Sequence, residues 1–559
     1  MKNLRLCWAA FGLCVSLGVS AQRGSCGTGV SWALADGTLT ISGEGNMTDF
    51  TDPRYGSSNL PSWDIYKDNI VKVVIEGGVK HVGSYAFYDY SNLQAVTFAE
   101  GVKSIGSSAF YGCEGIKELL FPSSMKIISG QHNTNEDAEP QVSTFGMGGT
   151  GTAYMSSEAF RGCAGLTSVT IPRGVIGVGS GTFKNCRNLK SVYWDVADYP
   201  SYGFSTANEN GFRDYGTQGS SPFSGCRLKE VVFGSEVDSI PGGLLYGQSE
   251  LSAIKFSGKT EYVGKDAFKE TVWFDNLPNG LVYIDKAAYA FKGLMSTPTA
   301  ISIAEGTKSI TEGLFANQTY LTKVTVPSTL TYMGYEVFEG CRSLGEVEWN
   351  AEDCKFGQTY GAPFSATALY TITFGEKVRK IPDGLCSGCR YITEVKMPAS
   401  VVEVGESAFS DCSGLEAVGF SENMTSIEAR AFLDCAKLSE LILPNSLREI
   451  GENAFSGCTG LETLSIPESV DSIGRSAFYN TGLEILVFNA RNCMLVYESY
   501  STAFPSSVRE LEFGDAVECI PKYMCSKMTN LMKLKVGRNV REMPSNCFSN
   551  CKNLETVEW

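Results

Sequence analysis

Few residues in this chain could carry out acid–base chemistry near neutral pH, because it holds only two histidines, His81 and His132. His132 lies close to Glu136 and Asp137 in a polar segment, so a hydrolytic Ser–His–Asp site there remains an open hypothesis. No Gly-x-Ser-x-Gly sequence marks a nucleophile. His81 directly precedes Val82-Gly83 and is predicted to lie at the protein surface. The histidines therefore favour a protein without catalytic activity.

Cysteine is the other residue with chemical potential, and the chain has 19 of them. Ten occupy one position of a repeat described below: Cys113, Cys163, Cys186, Cys226, Cys341, Cys389, Cys412, Cys435, Cys458 and Cys551. A metal site needs ligands that converge at short spacing, and this arrangement does not supply them. Disulfides and a buried column of free thiols both remain open. The odd count of 17 cysteines after residue 21 favours free thiols, since small, nearly apolar cysteine suits a buried position.

Two short sequences resemble parts of ligand-binding loops but are incomplete. Gly258-Lys259-Thr260 lacks the glycine that a phosphate-binding loop has five positions earlier, where this chain has Ala253. The acidic run Glu136-Asp137-Ala138-Glu139 lacks the alternate spacing of a calcium loop. The sequence therefore predicts no cofactor and no metal.

One repeat dominates the chain: Val-x-x-Ile-Gly-x-x-Ala-Phe-x-x-Cys-x-x-Leu-x-x-Val-x-Ile-Pro. About nineteen copies are recognisable, many of them at steps of ~23 residues. A block of six copies is itself repeated, because Phe223, Phe364 and Phe504 stand in similar, evenly spaced segments. The other phenylalanines predicted for the repeat core are Phe87, Phe110, Phe160, Phe183, Phe268, Phe291, Phe315, Phe338, Phe409, Phe432, Phe455, Phe478 and Phe548.

Each repeat predicts one short strand, Leu-x-x-Val-x-Ile, whose alternate residues face inward. A single unit cannot bury that face, whereas stacked units share a continuous core. The phenylalanine and cysteine positions would then form inner columns. We therefore predict a repeat solenoid of the leucine-rich-repeat type, mainly β, with short parallel strands, short helical turns and about nineteen turns of ~23 residues.

On these motifs the sequence resembles the bacterial BspA-type leucine-rich-repeat surface proteins, over nearly all of residues 65–559. The segment from Trp32 to Met47 is similar to the short β leader that often precedes such arrays. The resemblance implies a secreted or cell-surface protein used in adhesion to host proteins or to other cells. The choice of partner does not transfer with the fold.

The N-terminal segment 1–21 has the pattern of a secretory signal peptide. Lys2 and Arg5 precede an apolar stretch that is shorter than the roughly 20 residues of a membrane span, and cleavage is predicted before Gln22. The predicted organisation is a signal peptide over 1–21, a β leader or cap over 22–64 and a solenoid over 65–559. We expect an exported protein, secreted or at the cell surface, with the periplasm as an alternative.

Loss of Lys2 and Arg5 would take the net charge from −15 to −17. That sign disfavours nucleic acid as a partner. Two turns are longer than the common period, which places insertions near 129–154 and 196–221. The second mixes rigid aromatics with Gly, Ser and Asn, a composition that suits partner binding, although a loop folded onto its own flank is the alternative. The candidate partner-binding residues are Tyr193, Tyr199, Tyr202, Phe204, Phe212 and Tyr215.

The outward position between the last two apolar residues of each strand shows no dominant charge or aromatic type, which favours a folded protein over a repeating polymer as partner. We predict a protein-binding, adhesin-like surface protein that contacts extracellular or host proteins, or surface proteins of other cells. One alternative is a structural spacer that self-associates through its last turn, which ends at Trp559 without a visible cap. Another is a hydrolase with its site in an inserted loop.

Overall fold

The computed structural model describes residues 22–55, 59–129, 157–197, 221–357, 362–495, 503–545 and 547–559. The predicted signal peptide and most of both predicted insertions lie outside these residues. The described chain forms a β-solenoid of about 18 turns of ~23 residues with almost no helix. The predicted leucine-rich-repeat solenoid is therefore confirmed, with one turn fewer than the sequence suggested.

The predicted strands stack in parallel, and equivalent residues of successive repeats pair with each other, as in Val169 with Val192 and Val192 with Val231. The Val and Ile side chains of the repeat alternate inward, which buries one face of each strand. We call this stack the first ladder. Its strands are Thr38–Gly43, Lys72–Ile75, Ala95–Phe98, Ser168–Ile171, Ser191–Trp194, Glu230–Phe233, Ala253–Lys255, Thr299–Ser302, Leu321–Val326, Glu346–Trp349, Thr371–Phe374, Glu394–Lys396, Ala417–Gly419, Glu440–Leu441, Thr463–Ile466, Ile485–Phe488, Glu510–Phe513, Lys533–Lys535 and Thr556–Glu558.

A second parallel stack, which the sequence analysis did not predict, runs through the Ile-Gly part of the repeat. We call it the second ladder. Its strands end at the glycine because the chain passes close to the preceding turn there: a Cβ on Gly106 would lie 2.5 Å from the backbone nitrogen of Ser84. Its strands are Gly45–Asn46, Val79–Val82, Ser104–Ile105, Ile127–Ile128, Gly177–Val178, Ser239–Ile240, Tyr262–Val263, Ser309–Ile310, Tyr332–Met333, Lys355–Phe356, Lys380–Ile381, Glu403–Val404, Ser426–Ile427, Glu449–Ile450, Ser472–Ile473 and Met494–Leu495.

The segments expected to be helical are hydrogen-bonded turns around the Ala-Phe pair, such as the one closed by Cys113 N donating to Phe110 O at 3.3 Å. Positive φ angles occur on both sides of this pair, for example 56° at Arg430 and 58° at Asp434. Two left-handed corners in so few residues prevent a helix from continuing. In the described residues the helices are one α-helix, Val272–Asp275, and two 3₁₀ helices, Pro53–Tyr55 and Asp64–Asn69.

The phenylalanines of successive turns stack face to face inside the coil. Ring centroids of Phe432 and Phe455 lie 5.2 Å apart with planes 4° apart, and those of Phe455 and Phe478 lie 5.3 Å apart. Stacked parallel strands repeat at about 4.8 Å, so consecutive rings fill the interior without gaps. This column, together with the inward strand residues, forms the core.

A β-hairpin, Gly280–Ile284 with Ala287–Lys292, interrupts the coil and separates the core into two clusters. Val282 and Ile284 pack into the cluster on the N-terminal side, whereas Phe291 packs against the one on the C-terminal side. Phe291 was expected in the repeat column, but it lies half-buried in the second hairpin strand. The segment from Phe268 to Phe291 therefore builds a hairpin in place of an ordinary turn.

The N-terminal end of the array is covered by antiparallel strands. Gln22–Gly27 pairs with Val30–Ala35, which pairs with Thr38–Gly43, and the last of these starts the first ladder by pairing in parallel with Lys72–Ile75. This end of the core is thereby shielded from solvent.

Candidate interaction surface

The cysteine column is part of the backbone hydrogen-bond network. Nine of the ten thiols donate to the carbonyl oxygen of the aromatic position one turn earlier, as Cys435 Sγ does to Phe409 O at 3.1 Å and Cys458 Sγ to Phe432 O at 3.3 Å. Where glutamine replaces cysteine, Gln248 Nε2 donates to Phe223 O at 2.7 Å. A hydrogen-bond donor therefore occupies this position in most turns, a role that its apolar surroundings did not suggest from the sequence.

The 17 cysteines after residue 21 all lie in the described chain, and all are free thiols. Burial raises the pKa of Cys458 to about 12 and that of Cys341 to about 11, which keeps both protonated and poorly nucleophilic. Most predicted core phenylalanines and cysteines are fully buried. Phe291, Phe548 and Cys551 are half-buried.

His81 is 1% exposed, so the expectation that it lies at the surface is wrong. Its Nδ1 lies 2.8 Å from Ser104 Oγ, and its Nε2 lies 3.3 Å from Asp49 Oδ1. Burial would raise the pKa of Asp49, but hydrogen bonds from His81 and from the Ser84 N–H outweigh it and hold that pKa well below its usual range. The cause of the burial is non-local, since the leader segment crosses the strand of His81 and Met47 N donates to His81 O.

The order Ser104, His81, Asp49 is that of a hydrolytic triad, but the exposure is reversed. Ser104 is only 5% exposed, whereas the Asp49 side chain is half exposed. A nucleophile must reach its substrate, and this serine is almost completely buried. The trio therefore stabilises the join between leader and coil. His132, the other candidate, lies outside the described residues.

The outer face of the first ladder carries no charge along its central line through the first turns. Backbone pairing places Thr40, Val74 and Thr97 in one line, and Thr170, Tyr193 and Val232 in one line. Leu120 occupies the intervening repeat position. We call these seven residues the uncharged column. Leu120 is 65% exposed and Tyr193 is 42% exposed, so its middle presents apolar surface to solvent.

Tyr193 is the one predicted partner-binding residue within the described chain. Tyr199, Tyr202, Phe204, Phe212 and Tyr215 lie outside it, in the stretch 198–220 that separates Ala197 from Ser221.

The same line is charged near the other end of the molecule. Glu512, Lys535 and Glu558 follow one another there, and Lys535 Nζ lies 2.6 Å from Glu512 Oε1. Further back, Thr325 Oγ1 donates to Glu348 Oε2 at 3.2 Å. Charged side chains that pair with each other leave less apolar surface for a partner.

A second exposed group joins aromatic and basic side chains beside the leader. The rings of Tyr88 and Tyr111 stack at 4.6 Å, and the Arg54 guanidinium lies 5.8 and 5.7 Å from their centroids. Arg54 also pairs with Asp52 at 2.6 Å, so its charge is compensated. Its sequence signal was the tyrosine directly after the phenylalanine in two successive repeats. We interpret this group as a stabilising contact between the leader and the coil.

The family model for the BspA type leucine rich repeat region matches in six copies, at residues 58–136, 149–216, 213–291, 287–416, 379–504 and 425–555. The chain belongs to this family. The BspA-type resemblance predicted from the repeat is thereby confirmed. No curated protein sequence matches the chain.

Several solved structures are similar to this BspA-type chain. A leucine-rich repeat protein from Eubacterium ventriosum is 19% identical, with 78% of this chain and 95% of that chain covered and a TM-score of 0.25. A leucine rich cell surface protein from Faecalibacterium prausnitzii is 16% identical, with 97% and 95% covered and a TM-score of 0.22. The pneumococcal vaccine antigen PcpA is 15% identical, with 70% and 89% covered and a TM-score of 0.28.

In the described part of this BspA-type chain, no helix has the length and apolar character that crossing a membrane requires. The same residues contain no group of three or more His, Cys, Asp or Glu side chains arranged to hold a metal ion.

Proposed function

We propose that this BspA-type protein is exported and binds folded proteins outside the cell through the uncharged column, without catalysing a reaction. The observation that supports this proposal most directly is the run of seven outward positions without a charge, in a chain of net charge −15. Charged residues are depleted at the centres of protein interfaces, whereas tyrosine is enriched there. Tyr193 and Leu120 would be the central contacts.

The dimensions of this surface fit a protein partner. Seven turns at the strand spacing of about 4.8 Å give a strip about 30 Å long. A standard interface covers about 800 Å² on each partner, a patch of similar length and width. The tyrosines and phenylalanines of 198–220 follow closely after Tyr193 in the sequence, and we propose that they also take part in partner binding.

Export is supported by the signal-like residues 1–21. Cell fractionation with an antibody against the full chain tests this part of the proposal. We expect the chain outside the cytoplasm, with an N-terminus at Gln22. A cytoplasmic protein that retains Met1 would contradict it.

Binding is tested with the full chain against a panel of immobilised extracellular glycoproteins and against intact neighbouring cells. We expect the double variant Leu120→Asp, Tyr193→Ser to weaken binding at least tenfold, because it places a charge and removes a ring at the centre of the contact. The matched control is Ile442→Asp, which introduces the same charge at the equivalent outward position of a distant turn, where Ile442 is 83% exposed.

Equal loss in the double variant and in the control would contradict the assignment of this surface, and so would no binding by a folded wild-type chain. Light scattering at rising concentration tests the self-assembly alternative, for which we expect a monomer. Turnover of a glycan or peptide substrate by the pure protein would contradict the non-catalytic part of the proposal.

A further inference from the structure

Three lysines lie directly above one another along the edge of the second ladder. Lys103 N donates to Lys80 O at 2.8 Å, and Lys126 N donates to Lys103 O at 2.7 Å, so Lys80, Lys103 and Lys126 occupy the same position of three successive turns. Lys80 and Lys103 are exposed and Lys126 is half-buried. We call these three residues the lysine column.

Elsewhere along this edge, several basic residues have acidic partners in a neighbouring turn, and others, such as Arg379 below Val402, have no basic residue stacked on them. Lys286 Nζ lies 2.6 Å from Glu261 Oε1, and Arg448 Nη1 lies 3.4 Å from Asp471 Oδ2. Lys308 occupies the same position one turn after Lys286, but only these two lysines follow each other there, and the charge of Lys286 is compensated by Glu261. In the part of the chain that the structure describes, no carboxylate lies within ion-pair distance of any member of the lysine column.

Three like charges at the spacing of adjacent strands, about 4.8 Å, repel one another. In an acidic protein with 61 Asp and Glu, glutamate could occupy any of these positions and relieve the repulsion. Within the described residues nothing compensates this repulsion, and local rules broken without compensation point to a role outside the fold. An anion bound along the edge would compensate all three charges together.

The residue type and the spacing distinguish between anionic partners. Arginine is preferred where its planar fork binds two oxygens of a carboxylate or a phosphate, whereas lysine acts as a point charge that does not require this geometry and so can pair with a freely rotating sulfate group. An extended acidic peptide would present side chains on one face at about 7 Å, which does not match the column. Duplex DNA carries one negative charge per about 1.7 Å of its axis, a spacing much closer than that of the column, so most of its phosphates would face no lysine.

We propose that the lysine column binds a sulfated polysaccharide that runs along the solenoid axis, with sulfate groups on successive sugar units facing successive turns. A sulfate stays ionised throughout the physiological pH range and accepts hydrogen bonds from many directions. The lysine column lies on the second ladder, whereas the proposed protein-binding surface lies on the first. Each proposal can therefore be tested, and rejected, without the other.

The test measures the affinity of the full-length secreted chain for heparin at low and physiological salt, with dextran as the uncharged polymer. We expect the triple variant Lys80→Gln, Lys103→Gln, Lys126→Gln to weaken heparin binding at least tenfold, and the wild-type affinity to fall as salt rises. The control triple Lys323→Gln, Lys377→Gln, Lys437→Gln removes the same charge from exposed lysines that have acidic partners. We expect it to change the affinity less than twofold.

Three results would overturn the proposal: no heparin binding by the wild-type chain, equal losses in the two triple variants, or tighter binding to hyaluronate, polyglutamate or duplex DNA than to heparin. The first two would mean that no local site exists, and the third would assign the column to another anion. Equal melting temperatures of the three proteins show that the variants are folded.

Discussion

The hairpin Gly280–Lys292 divides the molecule into two arrays. Their interiors are built in the same way, but their surfaces differ. We call the described residues up to 277 the N-terminal array and those from 299 onward the C-terminal array. Both stack the same phenylalanines and cysteines. The N-terminal array carries the uncharged column and the unpaired lysines, whereas the C-terminal array has ion pairs in the equivalent rows, such as Lys535 with Glu512. The inward residues therefore fix the coil, and the outward rows are free to differ in function.

The two arrays also begin in similar ways. The N-terminal array starts from antiparallel strands that pass into parallel pairing at Thr38–Gly43, and the C-terminal array starts from the antiparallel hairpin, whose second strand pairs in parallel with Ser309–Ile310. An antiparallel pair can close in a tight turn and cover the exposed end of a core. The hairpin thus caps the beginning of the C-terminal array.

The largest expected difference between the two arrays is in the rate at which their most accessible thiols react. The N-terminal array holds Cys26, Cys113, Cys163, Cys186 and Cys226, all buried, whereas in the C-terminal array Cys519 is exposed. Burial raises the pKa of Cys26 to about 12, which lowers its reactivity further. We expect iodoacetamide at pH 8 to modify Cys519 at least 100 times faster than any thiol of the N-terminal array, as measured by peptide mass spectrometry.

The control for this labelling is the denatured chain without reductant, in which all 17 thiols should react. Fewer reactive thiols would reveal disulfides and contradict the free cysteine column. Rapid native labelling in the N-terminal array would contradict its closed core.

Removing one ring from the phenylalanine stack should show whether the hairpin separates two units that unfold independently. Phe432 stacks at 5.4 Å on Phe409 and at 5.2 Å on Phe455, and Phe160 stacks at 5.2 Å on Phe110. Phe432→Ala should cost about 3–5 kcal/mol of unfolding free energy in its own array, because it leaves a cavity. Hydrogen exchange resolved by peptide should show lost protection in the C-terminal array alone.

Phe160→Ala is the matched variant, expected to affect the N-terminal array alone. If either substitution lowered protection equally on both sides of the hairpin, the coil would be one cooperative unit, and the comparison would hold only for the surface.

The residues of the interior could be predicted because a single sequence repeat determines their positions. Residues such as Phe455 and Cys458 recur at a constant spacing, and equal spacing in a stacked coil forces equivalent positions into columns. The second ladder escaped prediction because its strands are mostly two residues long, as at Ser104–Ile105, which is too short for a recognisable alternation. Phe291 was misassigned because the hairpin happens to use as many residues as a turn.

The candidate surfaces were less predictable because they depend on contacts between distant segments. His81 looked exposed within its own repeat, but residues 47–50 of the leader cross over it. The donor role of Cys435 depends on a carbonyl 26 residues earlier. The repeat already aligned Thr97, Leu120, Thr170, Tyr193 and Val232 as outward positions, whereas the strand pairing adds Thr40 and Val74 to the same line.

The hydrogen bond from the cysteine position to the carbonyl one turn earlier occurs in both arrays. Removing it tests how similar the two interiors are, with a smaller expected loss of stability than removing a phenylalanine ring. Cys435→Val keeps the volume but removes one of the two hydrogen bonds to Phe409 O, to which Cys412 N still donates, so we expect a loss of about 0.5–1.5 kcal/mol in the C-terminal array. Cys435→Ser keeps a donor and should cost less. In the N-terminal array Gln248→Leu removes the equivalent bond to Phe223 O and also the bond that Leu228 N donates to Gln248 Oε1, so it should cost more than Cys435→Val. Urea unfolding followed by hydrogen exchange measures each loss, and no loss for either apolar variant would mean that the carbonyl needs no second donor beside its backbone N–H.

The smallest expected effect is a pH dependence confined to the N-terminal array. The folded pKa of Asp49 is lower than its unfolded value of about 3.9, so the stability that its carboxylate contributes is present above pH 4 and is lost as the pH falls further. The side chain is half exposed, which limits the contribution to less than about 1 kcal/mol. Asp49→Asn should therefore reduce the loss of N-terminal protection between pH 5 and pH 3.

The matched substitution is Asp515→Asn in the C-terminal array, where hydrogen bonds from Arg538 lower the pKa of an exposed carboxyl. It should leave the N-terminal array unchanged at every pH. An acid-induced loss in the N-terminal array that is as large in Asp49→Asn as in the wild type would show that other carboxylates cause it. The join between leader and coil would then be held by packing around His81 and by backbone bonds such as Met47 N to His81 O, and not by the Asp49 carboxylate.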